Sequence, residues 1–492
     1  MTALLALVSC NKWLDIQPAN TINEDDLFNT GDGYRIALNG IYLKLASSSL
    51  YGRELTYGMT EALAHTHEPD RAYKNNLVYK DMSNYEYTSD AAKGIISGIW
   101  TTAYYIIANC NNLIEPIEKD TPDKFALGER EMNLIHGEAL AVRALCHFII
   151  LQYFAPAPEY DKPDETGKYG KPLPYYDKFS KEIAEYLDPP SFVNRIVEDF
   201  KAAREKVAVY DLADNLNRYR LSAKYRFSGS TSNSAYPQPS DIFFAFRGYR
   251  MNYYAISAFL AKVYAYNGQY REAQKEADLV LKATTQPEGA GERLFSLTPI
   301  ESIPSDYKLS NDLIFGLSSS TLVDDYSRFR NAGTTLVLND SYSSIISPST
   351  TDHRWKSLVG GSSGNYVCNR YTAASQLTSD ILPVIRLSEM YYIYSEYYAD
   401  ATLYADAGEY IEIVKEGRGG PENQLYGKIV SRETFYEELL KDARIEFIEE
   451  GQVFFYCKKA NIFPDKWDKG SSSLFSSAKW YFDLPDSEYA VN

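Results

Sequence analysis

The sequence predicts a mostly α-helical protein, with helical hairpins like those of tetratricopeptide repeats, long irregular loops and a few short strands. Two observations predict this fold class. Apolar residues recur every three to four positions over several long stretches, which is the period of an amphipathic helix. Between them lie long segments rich in Ser, Thr, Asn and Gly, such as 209–249 and 284–380, which favour loops. We find no clear linker, so we expect one large globular body.

The first half of the chain contains three predicted long helices. Apolar residues follow helical spacing over 96–117 and again over 132–149, and Pro156 ends the second run. After Pro189, Ser191 is predicted to cap a third helix, because a serine hydroxyl can accept the free backbone N–H groups of a first turn. The N-terminal half is therefore predicted to be largely helical.

A helical hairpin is predicted over residues 252–281. Asn267-Gly268 provides the turn, and Ala273 and Ala277 lie on one stripe of the second helix. Small residues at this spacing let two antiparallel helices approach closely, as they do in tetratricopeptide repeats. The hairpin predicts that part of the scaffold is an array of paired helices.

The C-terminal half contains two more predicted helices and two short candidate strands. Pro383 is predicted to start one helix, and Ser431 is predicted to cap another. The apolar runs 312–317 and 335–338 are short enough to be strands. We therefore expect a little β-structure between the helical parts.

Composition and charge limit the possible functions. The chain has 492 residues, of which 45% are hydrophobic, so it can bury a substantial core. Its formal net charge is −16, from 66 acidic and 50 basic residues. This balance disfavours nucleic acid as a partner, because phosphates require clustered Lys and Arg. The 43 tyrosines suit a carbohydrate or peptide surface, although most of them are expected to pack between helices.

The first cysteine suggests a lipid anchor. Leu7-Val8-Ser9-Cys10 closes a short apolar run and looks like the cleavage box of a bacterial lipoprotein, in which the cysteine is lipidated. Residues 1–9 would then be a signal remnant and residues 10–32 a lipidated tail on the membrane. No Lys or Arg precedes Cys10. Either the true start of the protein lies further upstream, or this is an ordinary buried N-terminus that happens to hold a cysteine.

Several segments resemble, in order along the chain, the motifs of the SusD/RagB family of outer-membrane nutrient-binding lipoproteins. The N-terminal ones are Trp13-Leu14-Asp15-Ile16-Gln17-Pro18, Ala37 to Tyr42, the helix with Trp100, Tyr104, Ile107, Asn109 and Ile114, and Arg143-Ala144 through Pro158. The C-terminal ones are Pro383 to Tyr391, then Arg444, Glu446, Glu450 and Gly451, and finally Leu484-Pro485, Glu488 and Asn492. Gln452 and Ala155 depart from residues that are common in the family.

The resemblance implies a lipoprotein on the outer membrane of a Bacteroidota-type bacterium. Such a protein would bind an oligosaccharide and deliver it to a SusC-like TonB-dependent transporter, without catalysis and without a cofactor. After the tail, residues 33–235 and 236–492 would form the N-terminal and C-terminal regions of one compact body.

Two loops offer the aromatic and polar side chains that sugar binding requires, and in the family the segment before the Trp100 helix commonly contacts ligand. The candidates in the first loop are Asp70, Arg71, Tyr73, Tyr79, Asn84 and Tyr85. Those in the second loop are Tyr326, Phe329, Arg330 and Trp355. Ordinary loop packing is the alternative interpretation for every one of them.

Two other functions stay open at this point. A surface glycosidase would need two carboxylates on either side of one sugar bond, and no motif marks such a pair. A tetratricopeptide-type scaffold would bind a peptide or protein instead. His65 and His67 could be metal ligands, but no third ligand is placed by spacing, and we predict no metal site.

Overall fold

The structure is a computed structural model. It describes residues 27–157, 162, 167, 171–227, 239–332, 334–347, 350–362, 364–372 and 378–489. The predicted lipidation site Cys10, the motif that begins at Trp13, Pro158 and Asn492 lie outside the described residues.

Helices dominate the described chain, which confirms the predicted fold class. The helices of the N-terminal half are α1 Gly31–Leu45, α2 Met59–Leu63, α3 Pro69–Ala72, α4 Leu77–Ser83, α5 Asp90–Ile117, α6 Glu129–Phe154, α7 Pro189–Asp211, α8 Asn215–Arg220 and α9 Ala223–Arg226. Those that follow are α10 Tyr253–Tyr266, α11 Tyr270–Leu281, α12 Leu322–Asn331, α13 Tyr342–Ile345, α14 His353–Leu358, α15 Leu387–Asp400, α16 Tyr404–Gly417, α17 Arg432–Glu446, α18 Val453–Ala460, α19 Lys466–Lys469 and α20 Asp486–Tyr489. The strands are β1 Leu173–Pro174, β2 Tyr186–Leu187, β3 Leu313–Ser318, β4 Val359–Gly360, β5 Val367–Cys368 and β6 Ile381–Arg386.

The long helices pack side by side in an array. Helix α6 packs against α5 and α7, α10 packs against α7 and α11, and α15 joins α11 to α16. The hairpin predicted over residues 252–281 is confirmed as α10 and α11, and Asn252 caps its first helix. Ala273 and Ala277 are both fully buried, so small side chains allow the close helix contact that the spacing predicts.

Helix α6 forms the centre of the N-terminal half. It is long and apolar enough to cross a membrane, but its apolar window is completely buried by other parts of the protein, as in a core helix. A Cβ atom on Gly137 would lie 2.7 Å from Val207 Cγ1 and 2.8 Å from the Ala203 carbonyl oxygen. The absence of a side chain there therefore lets α7 lie directly against α6. Trp100 on α5 is buried against Phe154 of α6, as its place on the apolar stripe predicts.

The prediction that Pro383 starts a helix is wrong. Pro383 lies inside β6, opposite Gly316 of the antiparallel strand β3, and helix α15 begins four residues later at Leu387. A proline lacks a backbone N–H and is tolerated in a strand at the edge of a sheet. In the part of the chain that the structure describes, β6 pairs with β3 alone and is such an edge strand. The run predicted as a strand at 312–317 is confirmed as β3.

Two further boundaries differ from the prediction. Asp188, and not Ser191, caps α7: its side chain accepts the backbone N–H of Ser191. The proline pair thus occupies the first turn, where a missing N–H has no consequence. The run 335–338 is not a strand, since it forms only isolated bridges to His67 and Val367. The cap at Ser431 is confirmed, with Thr434 completing a capping box.

A buried ion-pair network joins the C-terminal elements. Glu446 at the end of α17 accepts hydrogen bonds from three arginines: Arg386 Nη1 at 2.5 Å, Arg418 Nη2 at 2.7 Å and Arg354 Nη1 at 3.2 Å. Arg418 also pairs with Asp312, next to β3. Burial opposes ionisation of Glu446, yet the arginines hold the pKa of this carboxyl well below its usual value. The network fixes strand, helix and loop to one another.

A candidate ligand-binding cleft

A cleft of about 1160 Å³ lies between α1, the start of α4 and the segment from β3 to α12. That volume exceeds a typical small-molecule pocket and can accept several linked sugar rings. Its walls carry hydroxyl, amide and guanidinium groups together with aromatic rings. The aromatic residues that line it are Tyr42, Tyr57, Tyr79, Tyr249 and Phe329.

One wall is an aromatic cluster held in place by a buried carboxylate. The rings of Tyr79 and Phe329 are 5.0 Å apart between centroids, in an edge-to-face arrangement, and Tyr57 lies 5.7 Å from Phe329. Tyr79 donates its hydroxyl hydrogen to Glu54 Oε1 at 2.8 Å, and Arg53 donates through Nε to the same oxygen at 2.7 Å. Burial first, and then the Glu54 charge, raise the pKa of Tyr79, so this hydroxyl keeps its proton.

A second wall is built around Glu138 of α6, which does not itself line the cleft. Tyr42 donates to Glu138 Oε2 at 2.5 Å, and Arg250 donates to the same oxygen through Nη2 at 3.2 Å. The Arg250 guanidinium carbon lies 5.2 Å from the centroid of the Tyr42 ring. These contacts hold the Arg250 guanidinium over the Tyr42 ring on this wall.

Hydroxyl groups and one carboxylate form the rim at the turn from β3 into α12. Thr321 donates to Asp325 Oδ2 at 2.6 Å, and Ser318 donates to Asp380 at 2.8 Å. Asp325 also pairs with Arg328, whose side chain is 73% exposed. A rim of this kind can exchange hydrogen bonds with sugar hydroxyls, while the half-buried rings of Tyr42 and Tyr249 offer apolar surface.

The structure brings two of the ten predicted site residues, Tyr79 and Phe329, to this cleft. They come from the two different loops that the sequence singled out, and their rings touch. Tyr326 and Arg330 line a separate cavity of about 470 Å³ next to α12. The Tyr326 ring is buried, and its hydroxyl donates to Glu449 Oε2 at 2.8 Å.

The other predicted residues of the first loop lie away from the cleft. Tyr73 is buried with its hydroxyl 2.9 Å from His67 Nδ1, and Tyr85 is buried against the His65 ring. The remaining three are Asp70, which pairs with Lys80, Arg71, which pairs with Asp340, and Asn84, which caps the end of α4. Trp355 of the second loop is buried against Tyr366. Tyr73, Tyr85 and Trp355 do not line the cleft, so we leave these three rings out of the proposed surface.

His65 and His67 have separate polar partners. His65 Nδ1 is 3.0 Å from Asp468, whereas His67 Nε2 is 3.2 Å from Glu449. Within the described ranges, no group of three His, Cys, Asp or Glu side chains is placed to hold a metal ion. Each histidine therefore acts as a buried hydrogen-bonding group between distant parts of the chain.

Sequence reasoning missed most of the cleft. Tyr42, Arg53, Tyr57 and Arg250 line it. Tyr42 stands out only as the end of a segment that resembles a family motif, and the other three belong to ordinary helical or turn segments. A pattern search finds residues that are close along one element. These residues come from segments about 200 positions apart, so only the tertiary fold places them together.

Comparison with known proteins decides the family. A family model described as "Starch-binding associating with outer membrane" matches residues 12–213, and one described as "SusD family" matches residues 219–456. The chain belongs to the SusD/RagB family. The two matched ranges follow one another along most of the sequence, while the boundary expected between residues 235 and 236 stays a prediction.

Solved structures of SusD-type proteins share this fold. A SusD superfamily protein from Bacteroides thetaiotaomicron superposes with a TM-score of 0.65 at 19% identity, over 94% of this chain and 98% of that one. A laminarin-binding SusD-like protein gives a TM-score of 0.62 at 13% identity, over 93% and 96% of the two chains. At these identities the likeness shows the fold alone.

Curated relatives match over a shorter length. SusD-like protein P2 of Formosa agariphila is 25% identical over 158 residues, which are 32% of this chain and 29% of that protein. SusD-like protein P25 of the same organism is 26% identical over 168 residues, which are 32% of this chain and 30% of that protein. The chain thus matches less than a third of the length of either relative.

Proposed function

We propose that this SusD/RagB protein binds an oligosaccharide in the cleft between α1, α4 and α12 and delivers it, unaltered, to a SusC-like TonB-dependent transporter. The observation that carries the proposal is that one cleft of about 1160 Å³ combines a rim of hydroxyl groups with aromatic rings, of which Tyr42 and Tyr249 are partly exposed. Aromatic faces pack on the C–H faces of sugar rings, and the polar rim fixes the hydroxyls. The laminarin-binding relative of the same fold supports a glycan as the ligand.

The acidic residues of the cleft support binding without hydrolysis. A glycosidase uses two carboxylates on either side of the scissile bond. Among the described residues that line the cleft, Asp325 is the single carboxylate. Its oxygens are already engaged by Thr321 and Arg328.

The binding proposal is tested by a glycan-array screen of the Cys10→Ala chain, followed by calorimetry on any ligand found. We expect a specific oligosaccharide that is recovered unhydrolysed. Tyr249→Ala and Phe329→Leu should each weaken it roughly tenfold, because each removes ring contacts from the cleft. Tyr426→Ala is the matched control, since Tyr426 is 88% exposed and lies outside the cleft. Turnover of the glycan, or equal losses in the control, would contradict the proposal.

The anchoring proposal is tested separately. A lipidated Cys10 would hold the protein on the outer membrane through its acyl chains. We expect the wild-type chain to fractionate with outer membranes and the Cys10→Ala chain to appear in the soluble fraction. A Cys10→Ala chain that still fractionates with the membrane would refute the lipid anchor.

The transporter proposal follows from the family and needs its own measurement. Affinity purification of the tagged, membrane-extracted protein should recover a TonB-dependent transporter in a stable complex. Recovery of the protein alone, under detergents that preserve other outer-membrane complexes, would count against this partner.

A further inference from the structure

The charge of the cleft differs from the charge of the whole protein. The chain carries a formal net charge of −16, but the described residues that line the cleft include Arg53, Arg250 and Arg328 and one carboxylate, that of Asp325. We propose that the ligand of this cleft is an acidic oligosaccharide, with carboxylate or sulfate groups bound by Arg53 and Arg328. The inference rests on the proposed glycan-binding function and specifies the ligand class of the same site.

Arg53 has free donors that face the cleft. Its Nε donates to Glu54, and within the described part of the chain its two Nη atoms have no hydrogen-bond partner. The guanidinium carbon lies 5.7 Å from the centroid of the Phe329 ring, which orients the plane of the side chain. A guanidinium with two free Nη groups can bind a carboxylate or sulfate through paired hydrogen bonds.

Arg328 provides the second anion contact, at the rim. Its Nη2 pairs with Asp325 one turn earlier on α12, and the side chain is 73% exposed. An incoming anion can therefore reach the remaining guanidinium nitrogens. Arg250 contributes differently, because both of its Nη atoms are engaged, by Phe243 O and by Glu138. Arg250 thus adds positive charge to the wall without offering a free pair of donors.

The acids that balance Arg53 and Arg250 lie behind the wall, whereas Asp325, the partner of Arg328, lines the cleft. Glu54, the partner of Arg53, is 2% exposed, and Glu138, the partner of Arg250, is completely buried; neither lines the cleft. Each pair therefore points its positive end into the cleft and its negative end into the protein. At the rim, Asp380 accepts from Ser318 and is likewise not a lining residue. The orientation of these pairs favours an anionic ligand over a neutral one.

Aromatic rings and arginines lie next to each other on the walls of the cleft. This arrangement suits a sugar that carries an acidic group. Phe329 lies under Arg53, and Tyr42 lies under Arg250. A uronic acid or a sulfated sugar presents an apolar ring face and an anionic group a few ångströms apart. The cleft offers a matching surface for both parts of such a residue.

The experiment is calorimetry with defined oligosaccharides on the Cys10→Ala chain. The probes are an oligogalacturonate, the same oligomer after chemical reduction of its carboxyl groups, and a sulfated chondroitin oligosaccharide. We expect at least one acidic probe to bind and the carboxyl-reduced oligomer to bind roughly tenfold more weakly or not at all. Preference for the uronate or the sulfate probe identifies which anion the arginines recognise.

Variants separate the arginine contacts from general effects of charge. Arg53→Gln and Arg328→Gln should each weaken acidic-probe binding by roughly five- to twentyfold and reduce its dependence on salt concentration. Arg271→Gln is the control, because it removes the same charge from an exposed position on α11 outside the cleft. Arg328 is exposed, so its variant tests the proposal even if Arg53→Gln impairs folding. Arg53→Lys keeps the positive charge but loses the paired N–H donors of the guanidinium, so this variant should bind the acidic probe with intermediate affinity.

The outcomes separate this inference from the proposed function. If neutral glycans from the array bind in the cleft while the acidic probes do not, the acidic-ligand inference is overturned and glycan binding stands. If the two glutamine variants bind acidic probes as well as the Arg271→Gln control does, the assigned arginines are wrong. If no glycan of any kind binds, the proposed function itself fails.

Discussion

Glu61 on α2 should make the protein less stable as the pH rises from acidic to slightly alkaline values. Its side chain is fully buried, and Oε1 accepts the backbone N–H of Gly451 at 2.6 Å. Oε2 has no hydrogen-bond partner within the described residues. Burial, with a smaller effect of the nearby Glu449 carboxylate, raises the pKa of Glu61 to about 8.

The sign and size of the effect follow from proton linkage. Between pH 4.5 and 8 the folded protein holds a proton on Glu61 that the unfolded chain has released, so stability falls as the pH rises through this range. The raised pKa of Glu61 lowers the free energy of unfolding by about 3 to 5 kcal/mol at pH 8.5 relative to pH 4.5. For a chain of this length that free energy lowers the melting temperature by about 3 to 5 °C.

The assay is differential scanning calorimetry of the wild type and Glu61→Gln at pH 4.5, 6.5 and 8.5. A glutamine keeps the acceptor for Gly451 and cannot ionise, so the variant should match the wild type at pH 4.5 and exceed it at pH 8.5. Glu433→Gln, at an exposed position on α17, should follow the wild type at all three values. A difference between Glu61→Gln and wild type that stays constant with pH would refute the reasoning.

Three further variants test the buried charges and the backbone, each by the same calorimetry. Glu446→Gln should destabilise the protein by about 3 to 5 kcal/mol at pH 7, because it leaves buried arginines without their shared partner. The difference in stability between this variant and the wild type should shrink below about pH 4, where the carboxyl of the unfolded chain is protonated. Gly451→Ala should destabilise the protein by about 3 kcal/mol or more, since the φ angle of Gly451 is +70° and a Cβ atom there would lie 1.9 Å from the Leu55 carbonyl oxygen. Lys308→Met should stabilise by about 1 to 3 kcal/mol, most at low pH, because Lys308 Nζ is buried without a hydrogen-bond partner in the described chain. Burial, then the charge of Arg370, lowers the pKa of Lys308 well below its usual value. A stable Glu446→Gln or Gly451→Ala protein, or a destabilised Lys308→Met, would contradict these assignments.

The helices and one strand followed from local sequence. The stripes at 96–117 and 132–149 became α5 and α6, and the hairpin over 252–281 became α10 and α11, because the period of apolar residues reports directly which face of a helix is buried. Ser431 could be predicted as a helix cap because its hydroxyl accepts the backbone N–H of Thr434, only three residues along the chain. Such features depend on contacts within one element.

The errors arose where a neighbouring element decided the local structure. Pro383 is compatible with a helix start or with a strand that has one neighbour, and pairing with β3 selects the strand. The run 335–338 has a strand-like composition, but its backbone forms isolated bridges to two different segments. Amino-acid composition indicates which backbone conformations a segment can adopt. It does not indicate which other segment of the chain will pair with it.

The sequence by itself determined the helical class, the family resemblance and two ring residues of the cleft, Tyr79 and Phe329. The tertiary structure alone decided that these rings meet and that Tyr73 and Trp355 lie away from the cleft. It also decided that Arg53 and Arg250 line the cleft while their acidic partners lie behind them. The physical reason is the distance along the chain over which the deciding interactions act. Helical periodicity and capping act over three or four residues, whereas a binding surface is made where segments far apart in the chain are packed against one another.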